Sequence, residues 1–479
     1  MMIRTLSVAL ATALLAGCAV GPDFVRPALP GNDAFVRAGA PAATDRQAFD
    51  AEFWRGFGDP QLTSLVEDAL AANHDLRIAL ARYDRANALL RGAKFDYLPT
   101  ITANAEASES RASADQAPGV ARSDRDTESR GAGIAAAWEP DVFGRIRRGV
   151  EAGRAGAQAG FADLQAAQVA IVGEVARTYL ELRGAQERLR VARDNAGNQR
   201  ETMQLVQARF DAGRDSEFDT ARARAQLEAT SARIPALEAQ VAFAMHRLGV
   251  LAGRTPDALV ATLDAEVPLP SLPATIDPGT PGEVLRRRPD VAAAEARLHA
   301  ATARIGVATA DLFPRITLGG LIGSQAIDSS MLFERDSETR LVALGIDWSF
   351  LDIGRVRARI AAADADAAGE LARYQQTVLL ALEDTENALV RLDRARAEDA
   401  HLERAARDSA RAARLARIRF EAGATGLLEV LDAERTRLQA EDAFADGRTR
   451  SATSAVALYR ALAGGWPQSL PLREVVSRR

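Results

Sequence analysis

Apolar residues recur at three- and four-residue spacings through most of this chain, and in four short stretches the period shortens to two. The first helical pattern opens at Asp59-Pro60, an N-cap followed by proline at the first helical position, and runs to about Lys94. Leu62, Leu65, Val66, Ala69, Leu70, Leu76, Leu80 and Leu89 form its apolar side. From Tyr97 to Ser110 the chain alternates: Thr100, Thr102, Asn104 and Glu106 on one face, Ile101, Ala103, Ala105 and Ala107 on the other. A polar loop, Arg111 to about Glu128, leads to a second alternating run, Ser129 to Trp138. Arg145 to about Ala212 holds no proline and carries a stripe of Leu164, Ile171, Val175, Tyr179, Leu182 and Leu189. As one helix it would be a rod of about 100 Å, which needs neighbours along its length. After Gly213 the pattern returns over about Ser216 to Leu251, roughly 54 Å if helical, and the first helix comes to roughly 50 Å. Two half-length helices stacked end to end would match the long one.

The layout is then written again. Helix is expected from about Glu283 to Ala310, strands near Arg315–Gly323 and Leu341–Phe350, a long helix from about Arg355 to Ala422, and a return helix from about Leu427 to Leu462. The punctuation repeats too. Phe95-Asp96-Tyr97-Leu98-Pro99 answers to Ala310-Asp311-Leu312-Phe313-Pro314. Trp138 to Gly144-Arg145 answers to Trp348 to Gly354-Arg355, and Arg209-Phe210-Asp211-Ala212-Gly213 to Arg419-Phe420-Glu421-Ala422-Gly423. A period of about 210 residues is too long for a solenoid and marks a tandem duplication. The expected organisation is a first repeat over 59–252 (strands about 97–110 and 129–139), a Pro/Gly-rich connector over 253–282, and a second repeat over 283–465 (strands about 313–324 and 340–351). A tail follows over 466–479.

Composition narrows the class. Aromatics are 5% of residues, and the net charge of -5 comes from interspersed signs, with no basic groove for nucleic acid. The four His (His74, His246, His299, His401) stand alone without ligand spacing, and no Gly-x-Ser-x-Gly turn occurs, so no catalytic or metal site is expected. Residues 1–17 read as a secretory signal, with Arg4 before a short apolar core. It ends in Leu15-Ala16-Gly17-Cys18, which resembles the bacterial lipobox. That resemblance implies a diacylglycerol thioether and palmitate on Cys18, the one cysteine of the chain. Ala19 after the cysteine implies export to the outer membrane, and residues 18–58, rich in Pro and Gly, are expected to be a tether. The covalent lipid is the one non-protein group expected, with no other cofactor.

Strands of about ten residues joined by polar loops suit tilted transmembrane strands, which must close into a barrel to leave no edge in lipid. Four strands cannot close, and eight would fill with side chains. An aqueous pore asks for three chains and twelve strands. The expected fold class is mainly α with a transmembrane β-barrel, four strands per chain, and long helices forming a periplasmic tube. The alternative is a soluble helical bundle bearing two hairpins.

Several stretches resemble the TolC-like outer-membrane factor family, in its lipoprotein efflux (NodT-type) branch. They are Phe53-Trp54-Arg55-Gly56-Phe57-Gly58-Asp59-Pro60-Gln61-Leu62, Trp138 to Arg145, Leu285-Arg286-Arg287-Arg288-Pro289-Asp290-Val291, and Ala294 to Thr317. The resemblance implies a homotrimer with a twelve-stranded barrel in outer-membrane lipid, docked to a periplasmic adaptor protein and an inner-membrane pump of RND type. The function implied is passive exit of small molecules or drugs. A type I protein-secretion duct and a pore-less periplasmic lipoprotein scaffold remain as alternatives. By the same resemblance the tips Arg209, Phe210, Gly213 and Arg419, Phe420, Gly423 face the adaptor; a plain glycine cap explains the glycines equally. The family's periplasmic gate maps onto Leu428, Asp432 and Arg435, at i, i+4 and i+7 on one helix face. Three Asp432 carboxylates around an axis would attract cations, with Arg435 restraining their repulsion. The alternative is a solvated helix face. In the first copy the matching residues are Phe218, Arg222 and Ala225, so the gate is expected mainly from the second repeat.

Overall fold

The computed structural model describes residues 19–30, 34–36, 52–272 and 276–464. The signal, Cys18 with its lipid, and the tail 466–479 lie outside the described residues. In chain order the elements are α1 (Pro60–Ala72), α2 (His74–Phe95), β1 (Thr100–Arg111), β2 (Asp126–Trp138), α3 (Arg145–Asp211), α4 (Glu217–Ser231), α5 (Arg233–Leu251) and the short α6 (Val260–Leu263). There follow α7 (Pro281–Arg287), α8 (Pro289–Ala310), β3 (Arg315–Ala326), β4 (Glu338–Asp347), α9 (Ile353–Glu421) and α10 (Leu427–Ala461). They fall into two compact units, Met1–Pro27, Arg82–Phe161 and Ala293–Gln375 in one, Ala28–Ala81, Ala162–Ala292 and Gln376–Arg479 in the other. Each unit draws on both repeats, so the boundary of the duplication is not the boundary of a folded body.

Both long helices form without interruption, at 67 and 69 residues. Three of the expected shorter helices break. The first stops at Asn73, whose side-chain oxygen accepts from the Asp75 and Leu76 amides and so starts a second helix. The return helix breaks at Ala232, because Pro235 has no N–H to give the carbonyl one turn back. The helix expected from Glu283 splits at Arg288, held extended by the proline after it.

The first unit contains the sheet, an antiparallel meander in the order β1-β2-β3-β4. Its register sorts the side chains by face. Ile101 lies opposite Ala136, Ala136 opposite Gly320 and Gly320 opposite Val342, while Ile134 sits between Ala103 and Ile322. This face is apolar and open: Ile101, Ile134, Ile322, Val342, Leu344 and Ile346 are all more than half exposed. The other face carries Thr100, Thr102, Asn104, Glu106 and a run of glycine and alanine. The alternation read from the sequence is therefore the observed one. The strands themselves are shifted by up to four residues from the expected bounds; β4, for example, starts at Glu338 and ends at Asp347. Among the described residues, the outer edges of β1 and β4 have no further strand partner.

Each repeat closes its hairpin in the same way. The Trp138 indole N–H donates to the Tyr97 carbonyl and that of Trp348 to the Leu312 carbonyl, both at 3.0 Å. Both acceptors lie two residues before a proline, Pro99 and Pro314. The first exit is then fastened further. Asp141, at φ 43°, accepts from the Ile146 and Arg147 amides and starts α3. Arg145 pairs with Glu139, and the Phe143 ring stacks on Phe313 at 4.8 Å.

Residues 18–58 are not a free tether in their described parts. The Val20 amide donates to the Phe143 carbonyl, and the buried Arg148 guanidinium donates to the Val20 and Gly21 carbonyls and to Asp23. Phe24 stacks on His299, whose ring hydrogen-bonds Glu151. Burial raises the Glu151 carboxyl, but the bonds with His299 and Arg148 outweigh it and hold the group below the ordinary carboxylate range. A Cβ on Gly21 would run into the Gly306 backbone, so glycine is required for this approach. Further on, Phe53, Trp54 and Phe57 are buried in the core of the second unit with Leu62, Val66, Tyr179, Leu248 and Leu458. Asp59 caps α1 as expected and also accepts from the Tyr179 hydroxyl at 2.6 Å.

Candidate functional site

The two helix reversals, α3 to α4 and α9 to α10, lie together in the second unit. Gly213 and Gly423 both take φ 72°, a left-handed conformation that costs glycine little. The hydrogen bonds match: Gly213 N to Phe210 O and Arg214 N to Arg209 O in one, Gly423 N to Phe420 O and Ala424 N to Arg419 O in the other. These are the paired bonds of a Schellman cap. Phe420 packs with Val206, Ala223, Leu427, Val430 and Leu431 in a small core that binds the two reversals to each other. The Arg209 guanidinium lies 4.7 Å from the Phe420 ring centre and pairs with Asp215 at 2.9 Å.

The six tip residues thus differ in what they offer. Phe210, Gly213, Arg419 and Gly423 are exposed, and Arg209 is half-buried. Phe420 is only 2% exposed, so its ring holds the tip together and is not presented to a partner. The sequence motif makes Phe210 and Phe420 equivalent. Packing separates them, because the α10 side chains that enclose Phe420 are Leu427, Val430 and Leu431, where α4 has Glu217, Thr220 and Ala221.

Leu428, Asp432 and Arg435 come together as expected, on one exposed face of the first turns of α10. Arg435 Nη2 donates to Asp432 Oδ1 at 2.5 Å, both side chains remaining largely in solvent. Such an exposed i, i+3 pair adds little stability and mainly fixes where the charges sit. Glu429 lies on the same exposed face one turn before Asp432. Its i, i+3 spacing to Asp432 is the sequence signal that marks it. Leu428 is 55% exposed, an apolar side chain on an otherwise charged strip.

Behind this strip is a buried charge that the sequence did not announce. Glu434 is 5% exposed, and its Oε1 accepts from Arg417 Nη2 at 2.8 Å and from the Thr202 hydroxyl at 2.9 Å. Arg417 also donates to the Asn198 carbonyl and pairs with Glu201, so α10 is held laterally by α9 and α3. Glu434 Oε2 has no hydrogen-bond partner among the described residues. The one available signal was the charge reversal between copies, Arg224 against Glu434.

The first copy builds its tip otherwise. Ser216 and Asp219 make a capping box, and the Ser216 hydroxyl holds the Asp219 carboxyl below the ordinary aspartate range. Phe218 is 66% exposed with the Arg222 guanidinium 5.4 Å from its ring centre. No group of His, Cys, Asp and Glu suited to a metal occurs among the described residues, and no described helix is long and apolar enough to cross a membrane.

A family model described as outer membrane efflux protein matches residues 65–254 and 280–464. Outer membrane protein OprJ of Pseudomonas aeruginosa is 34% identical, the match covering 96% of this chain and 95% of OprJ. Pyoverdine export outer membrane protein OpmQ of Pseudomonas putida is also 34% identical, over 91% of this chain and 92% of OpmQ. Among solved structures, the outer-membrane channel OprN superposes with a TM-score of 0.87 at 41% identity, covering 94% of this chain and all of OprN.

Proposed function

This chain belongs to the outer membrane efflux protein family, and from that premise we propose a trimeric duct whose constriction is built by the second tip. The protein is an outer-membrane channel that extends into the periplasm and serves an efflux system as its exit duct. Its family is made of channel proteins. The observation that carries the trimer is the sheet, which among the described residues has four strands, one apolar exposed face and two unpaired edges, β1 and β4. In lipid those edges must pair, and three copies pair them with each other in a twelve-stranded barrel.

The polar, small-residue face lines the pore, and the helices surround a passage through the periplasm. Conduction is passive and energy comes from the inner-membrane pump, of RND type, through a periplasmic adaptor. Exposed Phe210, Arg419 and the two glycine turns give the adaptor its landing points, with Arg209 and Phe420 setting their spacing from behind. Leu428, Asp432 and Arg435, with Glu429, form the constriction: threefold repetition places carboxylates around the axis and a guanidinium beside each Asp432. The cargo is small molecules; the pyoverdine export named for OpmQ favours this over protein secretion. A lipid on Cys18 supplies an anchor additional to the barrel and no cofactor takes part. No catalysis is assigned.

Light scattering of the purified, detergent-solubilised protein should give three chains per particle. In planar bilayers it should give discrete cation-selective steps. A monodisperse trimer without conductance at any voltage or pH would overturn the duct.

A further inference from the structure

We propose a residue-level register for the joint between copies, in which β4 of one chain pairs with β1 of the next so that Ile346 lies opposite Ala105 and Ile353 packs on Leu98. This rests on the trimer proposed above and specifies its contact surface. The chain already contains a worked version of that joint. Where the first repeat meets the second, β2 pairs with β3 from Trp138 opposite Leu318 to Arg130 opposite Ala326. Just beyond Trp138, the Phe143 ring stacks on Phe313 and Glu139 lies 3.7 Å from Arg315. The joint between two chains is the same meeting of repeats with the order reversed: the second repeat of one copy against the first repeat of its neighbour.

The duplication translates one joint into the other. Trp348 follows Trp138 by 210 positions and Pro314 follows Pro99 by 215. The two anchors are structurally equivalent, because each tryptophan donates to the carbonyl two residues before its proline. Moving β2 forward and β3 back by these offsets places Trp348 opposite Ala103 of the next chain and Arg340 opposite Arg111. Between them come Ile346 opposite Ala105 and Leu344 opposite Ala107.

An independent feature agrees. A register wrong by one residue turns every side chain of a strand to the wrong face. The face shared by Ile101, Ala103 and Ala105 continues through Ile134 and Ile322 to Val342, Leu344 and Ile346. The transferred register pairs Ile346 with Ala105 and Leu344 with Ala107, apolar face to apolar face, although the offsets were taken from tryptophan and proline positions alone. Its least favourable pair is Arg340 opposite Arg111 at the outer end, where Asp126 already neutralises Arg111 through two hydrogen bonds.

The same transfer accounts for the exposed second exit. Phe143 becomes Ile353 and Phe313 becomes Leu98, which are 45% and 56% exposed in the single chain. Asp141, the cap of α3, becomes Leu351, at 88% the more exposed partner of a patch with Phe350. Glu139 and Arg315 become Ser349 and Thr100, so the intermolecular joint exchanges an ion pair and stacked rings for uncharged aliphatic contact. A contiguous exposed patch of apolar side chains marks a surface for another to cover, and the neighbouring copy's Phe95 and Leu98 are exposed apolar groups at the matching strand start.

The test is cysteine cross-linking in the full-length protein in outer-membrane vesicles. Ala105→Cys with Ile346→Cys, under mild oxidation or a short thiol-reactive linker, should give a covalent trimer on denaturing gels that reduction dissolves. Ala103→Cys or Ala107→Cys with Ile346→Cys, two residues out of register, should lose that product, because diagonal neighbours stand too far apart. Light scattering on each unlinked variant checks assembly separately. A trimer that links best at a displaced pair overturns the register and leaves the duct standing; a monomer overturns both.

Discussion

At the first tip the return helix α4 is closed at its own end by Ser216 and Asp219, whereas at the second Gly426 leaves the start of α10 without a side-chain cap. The second return helix is held from the side instead, by Glu434 on Arg417 and Thr202 and by Leu427, Val430 and Leu431 around Phe420. The same reversal is thus built once as a post fixed at its foot and once as one leaning on its neighbours. A lateral hold can be released without unfolding the helix. It also leaves the outer face of α10 free for charge, and that is the face carrying Leu428, Glu429, Asp432 and Arg435. The duplicated wall and the proposed constriction, which is not duplicated, fit one division of labour, with the first tip built as frame and the second leaving a charged face open.

The largest effect expected from breaking this contrast is at the lateral hold. Glu434→Ala removes the buried partner of half-buried Arg417 and should cost about 2 kcal/mol, discounted from the fully buried case because Arg417 keeps some solvent and its pair with Glu201. The loss should appear as faster hydrogen exchange over the first turns of α10. Arg224→Ala, the matching change in the first repeat on an exposed side chain, should stay within about 0.5 kcal/mol. Equal losses at the two positions would remove the asymmetry.

Next comes the strip itself. Asp432→Ala should raise single-channel conductance on the order of twofold and lower cation selectivity, since it deletes one ring of carboxylates from the proposed constriction. Arg222→Ala, its counterpart on α4, should leave both unchanged. If Asp432→Ala also changes nothing, the constriction lies elsewhere and only the frame survives.

Much of this architecture was legible in the chain. Proline-free stretches foretold α3 and α9, period-two alternation gave the strands and their faces, and Gly213 and Gly423 marked the reversals, because each signal is local. Pro235 and Pro289 are equally local signals for the two breaks at Ala232 and Arg288, but the apolar periodicity runs on across both prolines and masks them. Three features depend on where distant segments meet. Phe210 and Phe420 share one motif but not one environment. The buried Glu434 reads as an ordinary surface residue until Arg417 is placed beside it. The docking of Val20 to Asp23 on Arg148 pairs residues more than a hundred positions apart. Of the strip, the family resemblance picked out Leu428, Asp432 and Arg435 and helical spacing put them on one face, but neither singled out Glu429.

The smallest changes test whether the two starts are interchangeable. Ser216→Ala should cost about 1 kcal/mol, most of the capping box. Because Ser216 holds the Asp219 carboxyl below its ordinary value, the box contributes above the usual aspartate range and is lost as pH falls through the depressed value. Gly426→Ser is the reverse experiment. Gly426 is extended at φ -84° and ψ 163°, a conformation serine adopts without strain, and Glu429 stands at the position a capping box requires. The gain should be only a few tenths of a kcal/mol, since glycine is itself a tolerable N-cap. Its use is diagnostic. Drawing Glu429 back onto its own helix start removes a carboxylate from the exposed strip, so conductance should rise slightly while the tip grows more stable. A tip that grows more stable with conductance unchanged would leave Asp432 alone as the ring that sets it.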